Sequence, residues 1–184
     1  VTKLVARITN INEFDIDGMT MMFHAISVTN MELINYLLVK GYDTKLKARD
    51  NLDTIHYAIK YGDQATITHL LDVCKEYEVT TAFINSCIAK NMNNELVKKM
   101  MEQLKDVNEF DINDMSMMFT AIKHKNIEIV DHLVTVGYDM NKKSTNHLNT
   151  FHYVARYGNS EMVAHVLDMC ESYNDISNEA EGWN

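Results

Sequence analysis

The chain has 184 residues, 46% of them hydrophobic and 23% charged, with a formal net charge of −9. That length and mixture suit a globular protein able to bury a sizeable core. The negative balance argues against a general nucleic-acid binder, whose surface must neutralise phosphate. No apolar run approaches the ~20 residues of a membrane span. The three cysteines, Cys74, Cys87 and Cys170, form no CxxC pair, which suits a reducing intracellular compartment; a cytoplasmic setting is expected over a nuclear one.

Taken in chain order, the sequence repeats itself. Residues 13–79, beginning EFDIDGMTMMFHAI, align without a gap to residues 109–175, beginning EFDINDMSMMFTAI, with 28 of 67 positions identical. The phrase DTIHYAIKYG at 53–62 returns as NTFHYVARYG at 149–158. Self-similarity of this kind is to be settled before any local reading. Inside the 96-residue block lies a shorter unit. Its starts fall near Thr20, Asp53, Phe83, Ser116 and Asn149, in steps of 33, 30, 33 and 33 residues. The segment VTKLVARI at Val1–Ile8 matches VKKMMEQL from Val97. The chain is thus expected to open inside a second helix, as a slice of a longer array with apolar surface left bare.

Each unit reads as two helices. Thr20, Asp53, Ser116 and Asn149 carry side chains able to cap a first helix, and Asn30, Asp63, Asn93, Asn126 and Asn159 to cap a second. Phe83 is a poor cap, so Thr80 or Thr81 is expected to start the third unit, after a shortened connection. Apolar residues follow at helical spacing, as in Ile34 with Leu37 and Leu38. Small Ala25, Ala58 and Ala121 stand where two helices approach closely. Each pair has one apolar side, which stacking against its neighbours buries. Cys74 and Cys170 hold the slot where a turn glycine is expected, which predicts helices running on into KEY and ESY. The polar, acidic tail from 174 to 184 is expected to fray.

With its 33-residue unit, the chain resembles the ankyrin repeat family, whose repeat opens T-P-L-H-x-A and closes on a Gly-Ala-Asp turn. Thr20 to Ala25 and Asn149 to Val154 fill the opening, while Gly41-Tyr42-Asp43 and Gly137-Tyr138-Asp139 fill the turn. The chain holds no proline, and Met21, Thr54, Met117 and Thr150 replace it after the caps. The resemblance implies an all-α solenoid in one curved stack, about four complete repeats after a partial one at 1–15. One ankyrin domain would then fill 1–173.

Catalytic and metal signatures are missing. No Gly-rich phosphate loop, HExxH or GxSxG occurs. In the resembling family the histidine at the His56 and His152 slot ties its own turn. His69, His132 and His165 share a second-helix slot and are read as packing residues, because stacked helices ~8–10 Å apart hold them from a common ion. The thirteen methionines follow the core period, and Cys87 has no local histidine to activate it. Neither enzyme activity, cofactor nor metal is expected of these residues.

What the resemblance implies is a concave groove that binds another protein, lined by the first helices and the connecting fingers. Slot by slot, the helix positions are Ser27-Val28, Lys60-Tyr61, Lys90-Asn91, Lys123-His124 and Arg156-Tyr157. The fingers add Ile16, Asp17 and Met19; Arg49, Asp50 and Leu52; Ile112, Asn113 and Met115; and Thr145, Asn146 and Leu148. Four of the five helix steps are basic, although solvation alone would also favour charge there. The leading expectation is an interaction scaffold or adaptor gripping an acidic, or mixed acidic and apolar, segment of a partner protein. The alternatives are a substrate-recruiting segment of a larger multidomain enzyme and a self-associating spacer. The Asn- and Met-rich texture fits an AT-rich genome, such as that of a virus, symbiont or parasite, where the scaffold would act as an effector on a host.

Overall fold

The computed structural model describes residues 10–74 and 76–181, with side chains through 170. The partial repeat expected at Val1–Ile8, with its bare apolar surface, lies outside the described residues, as do 182–184. Ten helices run through the described part: α1 (Met21–Ser27), α2 (Met31–Val39), α3 (Thr54–Tyr61), α4 (Gln64–Val73), α5 (Thr81–Ala89), α6 (Asn94–Met101), α7 (Met117–Lys123), α8 (Ile127–Thr135), α9 (Thr150–Tyr157) and α10 (Ser160–Glu181). No strand occurs among the described residues beyond an isolated bridge between Phe110 and Ser116. The architecture is a helical repeat solenoid, all-α as the sequence pattern requires. The chain divides into two compact units, one up to Glu78 and one from Val79.

The sequence duplication is a backbone duplication. Helices α7, α8 and α9 begin and end 96 residues after α1, α2 and α3, and α10 begins 96 after α4. In the first unit α1 packs on α2 and α3, and α3 on α4; in the second, α7 packs on α5, α8 and α9. Ala25, Ala58 and Ala121 are all buried at these approaches. Phe23 and Phe119 are fully buried in the same slot, each contributing about 1.5–3 kcal/mol of transfer free energy.

Caps decide where the helices start. The side chains of Asp53, Ser116 and Asn149 accept from the third backbone N–H of α3, α7 and α9, and those of Asn30, Asp63, Asn93, Asn126 and Asn159 do the same for the second helices. Thr80 caps α5 through Phe83 N, 3.2 Å away, and takes over from Phe83 as expected. Thr20 has the extended backbone of a cap, but its hydroxyl goes instead to Tyr42 Oη, at 2.7 Å. Its counterpart Ser116 does both, capping α7 and accepting from Tyr138 Oη at 2.9 Å.

The helix end at Cys74 departs from expectation. The α4 helix stops at Val73, and Cys74, buried and extended, does not carry it into KEY. Seven residues separate Val73 from Thr81, and the chain must leave the helix to reach the Thr80 cap. The same cysteine slot at Cys170 is passed over, and α10 continues through ESY to Glu181. That helix takes in most of the tail expected to fray, since the stretch contains no glycine or proline to end it.

Candidate partner-binding surface

Two of the fingers, at 15–19 and 111–115, are small loops tied by one aspartate each. Asp15 Oδ1 accepts from the backbone N–H of Asp17 and of Met19, each at 2.9 Å, and Asp111 Oδ1 does the same for Asn113 and Met115 at 2.8 and 3.1 Å. Gly18 and Asp114, 96 residues apart, turn the loops with φ of +71° and +60°. Asp15 is also 2.6 Å from His24 on α1; that bond, followed by the one to Met19 N–H, holds its carboxyl below the usual range. In the second unit Asp111 instead accepts from Asn85 Nδ2 on α5, at 2.9 Å. These ties lift Ile16 and Ile112 onto the finger tips, 102% and 96% exposed. Such local side-chain to backbone bonds are what make aspartate a turn residue.

Beside the fingers stand aromatic rows. Phe23, Tyr57 and Tyr61 follow one another at centroid distances of 4.9 and 4.5 Å. The second unit repeats the row as Phe119, Tyr153 and Tyr157, at 3.9 and 5.4 Å. Both begin on a fully buried phenylalanine and end on a tyrosine, exposed at Tyr61 and half-buried at Tyr157, with a cation over its ring. Lys60 Nζ lies 4.9 Å from the Tyr61 centroid, and the Arg156 guanidinium 5.2 Å from that of Tyr157. Burial raises the pKa of Tyr57 and of Tyr153, so both stay neutral donors at ordinary pH. Gly62 and Gly158 close the helices where a Cβ would meet the carbonyl oxygen of Ala58 or Val154 at 2.7 or 2.6 Å. His56 and His152 turn Nδ1 back onto the cap residues Asp53 and Asn149. The recurring phrase thus holds a cap-tying histidine, two row tyrosines and a glycine needed for lack of space.

In the first unit Asp17, Met19, Arg49, Asp50, Tyr57 and Tyr61 line an open cleft of about 380 Å³. The structure therefore brings together Met19, Arg49 and Tyr61, and Lys60 joins them through Asp50, 3.1 Å from its Nζ. Partial desolvation works against the Asp50 carboxylate, yet the bonds from Lys60 and Tyr61 outweigh it and hold its pKa low. Leu52 is half-buried and closes the finger, its carbonyl accepting from Ala48 N–H at 2.9 Å. In the second unit Lys123, His124 and Arg156 are exposed and Tyr157 is half-buried. Desolvation lowers the pKa of His124. Met115 Sδ accepts from Tyr153 Oη, and Leu148 is held at its finger by Ser144 N–H.

Lys90 and Asn91 stand one place out of register. α5 is nine residues long against seven for α1 and α7, Lys90 is its C-cap, and Asn91 takes the left-handed turn with φ +53°. The turn residues Thr29 and Lys125 match Asn91, so the step aligned with Lys123-His124 is Ala89-Lys90. The reading from sequence also passed over Tyr57 and Tyr153, although their spacing of four from Tyr61 and Tyr157 puts each pair on one helix face. Among the described residues no group of three or more His, Cys, Asp or Glu is placed to hold a metal ion. Burial pushes the fully buried Cys87 thiol up to about 12, which leaves it unreactive at neutral pH. Among the described residues no helix is long and apolar enough to cross a membrane.

Helix pairs capped in phase, joined by tied fingers and repeated at a 33-residue step define a repeat protein. Residues 55–144 match the family described as ankyrin repeats (3 copies). The Notch-regulated ankyrin repeat-containing protein B of Danio rerio is 32% identical over 66 residues, which are 36% of this chain and 60% of that protein. The chain thus spans about 60% of the length of that curated relative. Among solved structures, a chain from the complex of Bd0816 predatory endopeptidase from Bdellovibrio bacteriovorus with immunity protein Bd3460 superposes with a TM-score of 0.74. That match covers 91% of this chain and 90% of the other at 15% identity, which is a likeness of fold. Residues 55–144 thus carry ankyrin repeats, which are generally protein–protein interaction modules.

Proposed function

We propose that the chain is a protein-interaction scaffold that receives an extended, mixed acidic and apolar segment of a partner along the fingers and first helices. The observation that carries this reading is the paired fingertip, Ile16 and Ile112, each an aliphatic side chain wholly in water on a loop tied by its own aspartate. Rigid presentation lowers the ordering cost of binding, and an exposed aliphatic gains transfer free energy only when a partner covers it. Tyr61 and Tyr157 supply anchor area beside the tips, while Arg49, Lys60, Lys90, Lys123 and Arg156 supply positive charge in a protein of net charge −9. Met19, Leu52, Met115, Leu148, Asn91 and His124 complete the proposed surface. Charge at such a rim sets association rate and salt sensitivity, whereas covered aromatics set residence time.

The test is kinetic. A partner captured with the parent chain is measured against Ile16→Ser with Ile112→Ser, and against Tyr61→Ala with Tyr157→Ala. Both pairs are expected to raise the dissociation rate at least tenfold, about 1.4 kcal/mol, with the isoleucine pair leaving the melting temperature unchanged. Parent-like kinetics for both would move the contact to another face.

A further inference from the structure

The two units repeat the same step with different charges. Asp50 pairs with Lys60 at 3.1 Å and also accepts from Tyr61 Oη at 3.3 Å. The residue 96 positions later is Asn146, which is neutral, while Lys60 is matched by Arg156. In the first unit Asp17 and Asp50 are balanced by Arg49 and Lys60, within and beside one cleft. In the second, Asn113, Asn146 and Thr145 replace Asp17, Asp50 and Arg49. The added acid there, Asp114, is tied to the next finger, accepting from Thr145 N–H at 2.9 Å and from the Thr145 hydroxyl at 2.7 Å. Arg156 lies over the Tyr157 ring and, among the described residues, forms no ion pair.

We propose that Arg156 receives a glutamate or aspartate side chain of the partner segment, that Lys60 does not, and that the residue at position 146 against position 50 decides this. The inference rests on the interaction surface proposed above and adds its charge specificity. A guanidinium offers five N–H donors in a planar fork that matches a carboxylate, and an aromatic face beneath keeps that plane in place. The ammonium of Lys60 already has its carboxylate, so an incoming acid there would meet Asp50 as a like charge. The first step accordingly takes an uncharged side chain. Each chain then reads one acid, next to apolar residues, and not a row of them.

The probe is a fluorescent peptide of repeated Gly-Glu-Phe-Ser units, acetylated and amidated so that only side-chain carboxylates are present, with a Gln-for-Glu version as its control. Anisotropy with the full chain is expected to show the Glu peptide bound about two- to fivefold more tightly than the Gln peptide, the scale of an exposed ion pair. Asn146→Asp and Arg156→Gln are each expected to erase that ratio, Arg156→Lys to keep part of it, and Asp50→Asn to raise it by freeing Lys60. A ratio that survives both Asn146→Asp and Arg156→Gln overturns the inference. If Tyr61→Ala with Tyr157→Ala weakens both peptides in that case, the surface itself stands. If neither peptide binds, or the tyrosine pair changes nothing, the surface reading falls together with the inference.

Discussion

At the scale of single residues, the repeated phrase is kept in both blocks for three separate physical reasons. Histidine ties the cap, tyrosine extends the aromatic row, and glycine at 62 and 158 leaves room for the carbonyl four residues back. Gly62 and Gly158 have ordinary negative φ, of −76° and −66°, so space and not handedness selects them. Gly62→Ala should place a Cβ 2.7 Å from Ala58 O, and overpacking of this kind costs about 1–3 kcal/mol. Chemical denaturation of the variant checks this, and an unchanged midpoint would mean that the helix end shifts freely. The left-handed turns obey the other rule. Thr29 and Lys125, Asn51 and His147, and Gly18 with Asp114 keep positive φ at matching places, although only one of these six residues is glycine. From sequence the slots were legible, but this conformation was not at Thr29 and Lys125, because threonine and lysine give no local sign of it.

At the scale of elements, starts were legible and ends were not. A cap is a local bond between a side chain and the third N–H after it, so residue type and spacing suffice to place it. Thr80→Ala removes such a bond from α5 and should cost about 1 kcal/mol, read as a lower denaturation midpoint. Thr20→Ala is the informative contrast, because it loses the bond to buried Tyr42 and not a cap. Ends depend on where the chain must go next. Cys74 and Cys170 share a slot, yet one ends a helix and the other lies inside one, since after Cys74 the chain must reach the Thr80 cap within a few residues. The proposed surface was legible to the same degree. Exposed positions on first helices could be named from the repeat frame, whereas the pairing of Lys60 with Asp50, ten residues apart on a helix and a finger, exists only in three dimensions. The one-residue shift at Asn91 arose because α5 is longer than its counterparts.

At the scale of the whole molecule, carboxylates that hold loops and helix ends set the response to acid. Asp15 is held low by His24 and Met19, Asp63 and Asp114 by their threonine and backbone donors, and Glu128 by Lys98 and Asn94. Each has a folded-state pKa below its unfolded value. As pH falls, the unfolded chain therefore takes up protons first, and stability drops with it. Their contribution is complete above the ordinary carboxylate range and disappears as pH falls through the lowered values. Urea midpoints measured from about pH 5 down to about pH 2.5 should fall steadily, with the loss beginning near the ordinary aspartate value of 3.8. A midpoint flat across that range would show that these ties contribute nothing to folding.

The 96-residue duplication also has a consequence for how the chain finds its fold. Helices α1 and α7 share length and most core residues, so during folding each presents nearly the same docking face to α3 and to α9. Near-identical neighbours within one chain favour misassembled and swapped intermediates. The places where the two blocks differ then act as proofreading. His24 against Thr120, with its partner Asp15 and the Asn85 tie to Asp111, gives each finger a preferred helix, so that a mismatched pairing forfeits a hydrogen bond that the native one keeps.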